Sequence, residues 1–119
     1  MPTLTFNPKS VVELAVHVVP EFYPVTLLIR SDLDCQNELA INSSVIVNVN
    51  WPDAEGKTET LEATIVFRFE GSELKEWVAV TIPAENQALI HRVRYLCRHH
   101  TNEYGKLFGQ LVNDVYYSH

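Results

Sequence analysis

Cys97, His100 and Glu103 follow one another at helical-turn intervals in the run Cys97-Arg98-His99-His100-Thr101-Asn102-Glu103. On a helix, side chains at that spacing could share a metal ion. A closed metal site needs about four ligands, and no second cluster supplies the remainder. The run is therefore read as packing, with Cys97 and His100 on an apolar helix face and His99 in water, and no metal is expected. Glu13 and His17 form a second pair of interest. A histidine beside a carboxylate is the composition of a general base and its orienting group. No motif places a nucleophile near them, so a solvated face is the preferred reading, and a small enzyme built on Glu13 and His17 is kept as an alternative. The chain has four glycines, no Gly-x-Ser-x-Gly and no glycine-rich phosphate loop. No catalytic residue and no cofactor are assigned. Arg92, Arg94 and Arg98, with Lys106 beyond, carry the basic charge of the C-terminal part. Arg94 and Arg98 are four apart and lie side by side on a helix, where they could grip a phosphate or an acidic protein surface. A solvated helix face is the ordinary alternative.

The elements that must hold these residues are read from periodicity. Leu61, Ala63, Ile65, Phe67 and Phe69 alternate with Glu62, Thr64 and Arg68, the period of two that a half-buried strand requires. Val45, Val47, Val49 and Trp51 alternate in the same way with Asn48 and Asn50 between them. Further strands are read over Val11–Val19, Val25–Arg30, Glu38–Ile41 and Trp77–Ile82, giving six. In the first, Val12, Leu14, Val16 and Val18 share one face, and Glu13, Ala15 and His17 the other. The breaks between strands carry turn chemistry: Pro20 to Pro24, the polar loop 31–37, Pro52 to Gly56, and Gly71 to Glu73.

Pro83 then opens a helix, with Glu85 complementing its positive end. Val93, Cys97, His100, Tyr104, Leu107, Leu111 and Val115 continue an apolar stripe. The steps from Val93 to Leu111 alternate four and three, the spacing of a coiled-coil seam. Unbroken from Pro83 to Tyr117, this helix would run ~50 Å, longer than a domain of this size. Either it breaks, with residues 101–105 as the expected place, or it projects and finds a partner through that stripe.

The chain has 119 residues, 46% of them apolar, and a net charge of −6, which suits a single domain, 1–119, with a real core. Residues 1–82 carry −7 and residues 83–119 carry +1. An acidic body does not displace counterions from phosphates, so no general nucleic-acid binding is expected. No apolar run approaches the ~18 residues of a membrane span, and the first residues show no basic-then-apolar leader pattern. A soluble, cytoplasmic protein is expected, with Cys35 and Cys97 as reduced thiols.

The order of parts resembles a PilZ domain, a six-stranded β-barrel followed by a C-terminal helix, many members of which bind cyclic di-GMP. The resemblance covers residues 11 to 100 and is carried by Leu27-Leu28-Ile29-Arg30-Ser31-Asp32, Ser43 to Val49, Ala63 to Gly71, and Trp77 to Ile82 running into the helix. It implies a mainly β fold: a six-stranded antiparallel barrel over 11–82 and a long C-terminal helix over 83–117. The family's ligand motifs are degenerate here. Its R-x-x-x-R pair has no counterpart, since Lys9 faces Glu13 at that spacing. In the [D/N]-x-S-x-x-G motif only Asp32 matches, with Asp34 at the serine position and Asn37 at the glycine position. Paired arginines fit phosphates as bidentate forks, so their loss together with Asp34 implies that cyclic di-GMP does not bind there. The expectation is a non-enzymatic adaptor in bacterial signalling or motility regulation, working through a protein partner or self-association along the C-terminal helix. The alternative is a cyclic di-GMP receptor that uses Arg92, Arg94 and Arg98, with Asp32, Asp34 and Asn37 lining the site.

Overall fold

The two strictest alternations form the centre of the sheet. The computed structural model describes residues 2–31, 39–53, 58–69 and 77–117, with side chains described as far as Asp114. In chain order it contains β1 (Thr3–Phe6), α1 (Val11–Val16), β2 (Val25–Arg30), β3 (Ser44–Asn50), β4 (Thr58–Arg68), β5 (Trp77–Ile82), α2 (Gln87–Leu96), a 3-10 turn (Thr101–Glu103) and α3 (Lys106–Tyr117). The strands form one curled half-barrel sheet in the order β1-β3-β4-β5-β2. β3, β4, β5 and β2 are antiparallel neighbours, whereas β1 runs parallel to β3, with Leu4 beside Val47 and Phe6 beside Val49.

The six-stranded antiparallel barrel is thus corrected to a five-stranded mixed sheet among the described residues. The first expected strand is a helix. Ser10 caps it, its hydroxyl accepting the Glu13 N–H, while the Glu13 carboxylate accepts the Lys9 N–H at 2.8 Å. Ser-x-x-Glu ahead of an apolar run is the pattern of a capping box, here with the carboxylate on the N–H one residue before the cap. Val11, Leu14, Ala15 and Val18 follow the helical period as well as Val12, Leu14, Val16 and Val18 follow the strand period. Burial decides for the helix, with Leu14, Ala15 and Val18 buried and Val12 exposed. The missed strand is β1, whose Leu4 and Phe6 are buried between exposed Thr3 and Thr5. Residues 39–41 form no strand. They lead into Asn42 at φ 73°, a left-handed position that asparagine tolerates. The loop residues Asp32, Asp34, Cys35 and Asn37 lie outside the described residues.

One face of the sheet packs with α1 and α2. Leu4, Val45, Val47, Val49, Ala63, Ile65, Val78, Val80 and Ile82 meet Leu14, Ala15, Leu89, Ile90, Val93 and Cys97 in the main core. Burying each of its larger side chains is worth ~1.5–3 kcal/mol. A β-bulge between Ile65 and Phe67 sets Ile65 opposite Val80 and Phe67 opposite Ala79. The extra residue turns the strand over. Phe67 and Phe69 therefore leave the face of Leu61, Ala63 and Ile65 and join a second core on the other side of the sheet, with Leu28, Ala79 and Leu111. Phe67 is half-buried there, its ring 5.1 Å from Phe69 and 5.3 Å from Phe108.

The C-terminal helix begins later than expected and is not continuous: Pro83 and Glu85 lie in a turn before it, and Asn86, whose side chain accepts the Leu89 N–H, caps it in their place. α2 ends at Leu96 with Cys97 as its C-cap, and the chain turns through Thr101–Glu103 before α3 begins at Lys106. Gly105 sits at φ +79°, and its N–H donates to Val18 O at 2.8 Å. The longest extent of the molecule is 39 Å, which leaves no room for an unbroken ~50 Å rod. The two helices cover opposite faces of the sheet. Val93 and Cys97 belong to the main core and Leu111 to the second, with Leu107, Phe108 and Val112 packed against it. Most of the stripe read as an interaction seam is therefore covered within one chain. The Val115 side chain lies outside the described ones. Among the described residues, no helix is long and apolar enough to cross a membrane.

Candidate functional site

The orientation of α2 determines which of its side chains remain available. Asn86 caps it by accepting the Leu89 N–H. Leu89, Ile90, Val93 and Cys97 are buried, and helical spacing then forces Arg94, Tyr95 and Arg98 outward. Tyr95 is 63% exposed, and the Arg98 guanidinium lies over its ring at 3.9 Å while also donating to the Tyr95 carbonyl at 2.8 Å. Arg94 reaches the other way, to the segment between α1 and β2. It donates to the Pro24 carbonyl at 3.1 Å and stands 5.8 Å from the ring centre of Tyr23, which is 82% exposed. The Tyr23–Pro24 peptide is cis. Two tyrosines, each with an arginine over its face, are therefore presented to solvent from α2 and the adjoining loop.

The three candidate arginines do not converge. Arg92 lies 3.2 Å from Asp53 and 3.3 Å from Glu59, and it approaches the Trp51 ring at 5.7 Å. The Trp51 indole N–H donates to the same Glu59 carboxylate at 2.6 Å. This network ties α2 to the β3–β4 pair and neutralises Arg92. Arg94 and Arg98 remain as the exposed basic pair, four residues apart as their spacing requires.

Glu13 and His17 are both committed to the backbone. The Glu13 carboxylate belongs to the cap of α1. His17 Nδ1 is 2.7 Å from the Leu28 carbonyl, and its ring packs between Phe6 and Trp77 at 5.3 and 5.9 Å. His17 thus helps close the gap between the two sheet edges. Its neighbours continue the job: the Leu28 N–H donates to His17 O, and the Val19 N–H donates to Thr26 O.

Among the described residues, no three His, Cys, Asp or Glu side chains come together to hold a metal. Cys97 is fully buried with its thiol hydrogen-bonded to the Tyr104 hydroxyl. Burial pushes the thiol pKa up, opposed by the smaller lowering effect of Tyr104. The Tyr104 phenol is raised as well, first by burial and then by the neighbouring thiol, with Arg94 acting in the lowering direction. Both groups stay protonated at neutral pH and offer no activated nucleophile.

Sequence reasoning missed Tyr23 and Tyr95. A usable signal was present for Tyr95, because an aromatic three residues before Arg98 on a helix places ring and guanidinium together. For Tyr23 the signal was its place in a Pro-flanked turn, which confines it to the surface. No protein-family model matches the chain, and no curated protein matches it in sequence.

Proposed function

We propose that the chain is a non-enzymatic cytoplasmic adaptor of bacterial signalling or motility regulation, and that a protein partner docks on the face made by Tyr23, Arg94, Tyr95 and Arg98. The observation that carries this reading is the pair of exposed tyrosines, 82% and 63% accessible, with Arg94 5.8 Å from the Tyr23 ring and Arg98 stacked on the Tyr95 ring at 3.9 Å. Tyrosine and arginine dominate the energetics of protein interfaces, and a ring pre-set by its arginine loses less freedom on binding. The basic face on an otherwise acidic chain favours an acidic partner surface. The likeness to PilZ domains supports the signalling part of this reading as far as the antiparallel run β3-β4-β5-β2 and the helix that follows β5. Parallel β1 and helical α1 depart from it.

A second reading keeps cyclic di-GMP as the ligand of the same face. Arginine stacks on bases and forks onto phosphates, and Arg94 and Arg98 are both exposed. Arg92, held between Asp53 and Glu59, takes no part in it.

The double variant Tyr95→Ala/Arg98→Glu tests both readings, since neither side chain is in a core. Crosslinked capture from the native cell should retain a protein with the wild type and lose it at least tenfold with the variant, at equal melting temperature. Calorimetry of the wild type with cyclic di-GMP should show no binding. A partner retained equally by both chains would move the contact off this face. Micromolar nucleotide binding abolished by the variant would establish the second reading instead.

A further inference from the structure

The segment from Val18 to Thr26 and helix α2 do not close fully on one another. Between them lies a cleft of about 230 Å³. It is below the ~300–1,000 Å³ of sites for drug-sized ligands. Val19, Phe22, Val25 and Val93 make its walls apolar. Two of its polar side chains are already bonded inside the protein. The Thr26 hydroxyl donates to Phe22 O at 3.1 Å and lies 2.7 Å from the Thr81 hydroxyl. The Tyr104 hydroxyl is bonded to the Cys97 thiol. Arg94 is different. A guanidinium carries five N–H donors, and here one nitrogen donates to Pro24 O. Among the described residues no carboxylate pairs with Arg94, whereas Arg92 holds two. A cationic fork with donors to spare therefore stands at the rim of an apolar hole, steadied by the Pro24 carbonyl and the Tyr23 ring. A carboxylate matches that fork bidentately.

We propose that this cleft binds a monocarboxylate with a compact apolar body, the body lodged between segment 18–26 and α2 and the carboxylate on Arg94. The volume limits the body to roughly the bulk of one large side chain, too small for a nucleotide. Two sources share this chemistry. One is a free aromatic or branched-chain acid. The other is the last residue of a peptide, which offers an apolar side chain beside its α-carboxylate. The site shares Tyr23 and Arg94 with the proposed docking face but uses neither Tyr95 nor Arg98, so Tyr95→Ala/Arg98→Glu tests the docking reading and acid against amide tests the cleft.

The test is an amide NMR titration of the full chain with four probes: 3-phenylpropionate, its amide, Gly-Gly-Phe, and Gly-Gly-Phe amide. At least one of the acids should give saturable shifts confined to the amides between Val18 and Thr26, those of Val93 and Arg94, and that of Tyr104. The matching amide should bind at least tenfold more weakly. Arg94→Gln should lose at least tenfold, and Arg94→Lys, which keeps the charge without the fork, should fall between. Tighter binding of 3-phenylpropionate assigns the site to a free acid, and tighter binding of Gly-Gly-Phe assigns it to a chain terminus. Acid and amide binding alike, shifts centred elsewhere, no saturable binding of either acid, or full affinity in Arg94→Gln would each overturn the proposal. Should Arg94→Gln fail to fold, the comparison of acid with amide on the wild type decides.

Discussion

Cys97 and Tyr104 show how a residue that looks reactive in sequence becomes structural in the fold. The Cys-x-x-His spacing could serve ligands but reads as packing, and the thiol is sealed in the main core and bonded to a phenol brought in from beyond the helix end. Their pKa shifts make a statement about stability. Both groups are acids whose folded pKa lies above the ordinary value. The folded state therefore holds its protons more tightly, and that contribution is complete below the unfolded thiol pKa of about 8–9. It is lost as pH rises through the folded values. Urea-unfolding free energy should be flat from about pH 6 to 8 and should fall above about pH 9, with a shallower alkaline fall in Cys97→Ala. An alkaline slope identical in the two chains would show that the thiol is not perturbed. The exposed Arg–Tyr pairs could be read only halfway. Arg94 and Arg98 were singled out as neighbours, but Tyr23 is seventy-one positions from Arg94 and no local pattern joins them.

Among the elements, α1 and the break after α2 carry the main lessons. Val11-Val12-Glu13-Leu14-Ala15-Val16-His17-Val18 satisfies both a period of two and the helical period, and its β-branched residues weight the first. The cap at Ser10 is the local signal that favours the helix, because its hydroxyl accepts the Glu13 N–H that would otherwise be orphaned in the first turn, while the Glu13 carboxylate holds the Lys9 N–H ahead of the cap. At the other end, Gly105 is required by two circumstances together. Its φ is +79°, and a Cβ there would lie 3.2 Å from Cδ of Pro20. Gly105→Ala should therefore destabilise by about 1–3 kcal/mol. Gly109 lies within α3, and no atom of the described residues beyond its own helix backbone stands within 4 Å of where a Cβ would be, so Gly109→Ala should stabilise by about 0.5–1 kcal/mol. Denaturant midpoints of the two variants should move in opposite directions, and a shared direction would contradict the turn geometry.

For the molecule as a whole, the turn at Gly105 changes the meaning of the C-terminal stripe. Leu111 is 6% exposed against the second core, with Leu107 beside it. Leu107→Asp/Leu111→Asp places two charges against Phe69, Ala79 and Leu28, and should cost ~4 kcal/mol or more, enough to unfold a marginal domain. Chemical unfolding followed with light scattering reads this directly. A variant that keeps its stability while its mass falls would mean that α3 packs between chains instead.

Read from sequence alone, the chain specified β2, β3, β4, β5 and the presence of a helix after them, because each is a local pattern of one period bounded by turn residues; the helix start is misplaced at Pro83, since Asn86 is the cap and Gln87 the first helical residue. The inward set Val45, Val47, Val49 and Trp51 was legible for the same reason. Tertiary structure alone decided the rest. The parallel place of β1 depends on pairing with residues some forty positions away, which no local period encodes. The reversal of Phe67 and Phe69 depends on one extra residue opposite β5, since a shift by one exchanges the faces of a strand. The cleft exists only because segment 18–26 and α2, separated by most of the sheet in sequence, come side by side in space. Its chemistry follows from which of the similar arginines finds a carboxylate: among the described residues Arg92 does and Arg94 does not, and that is a property of distances in space, which spacing along the chain does not carry.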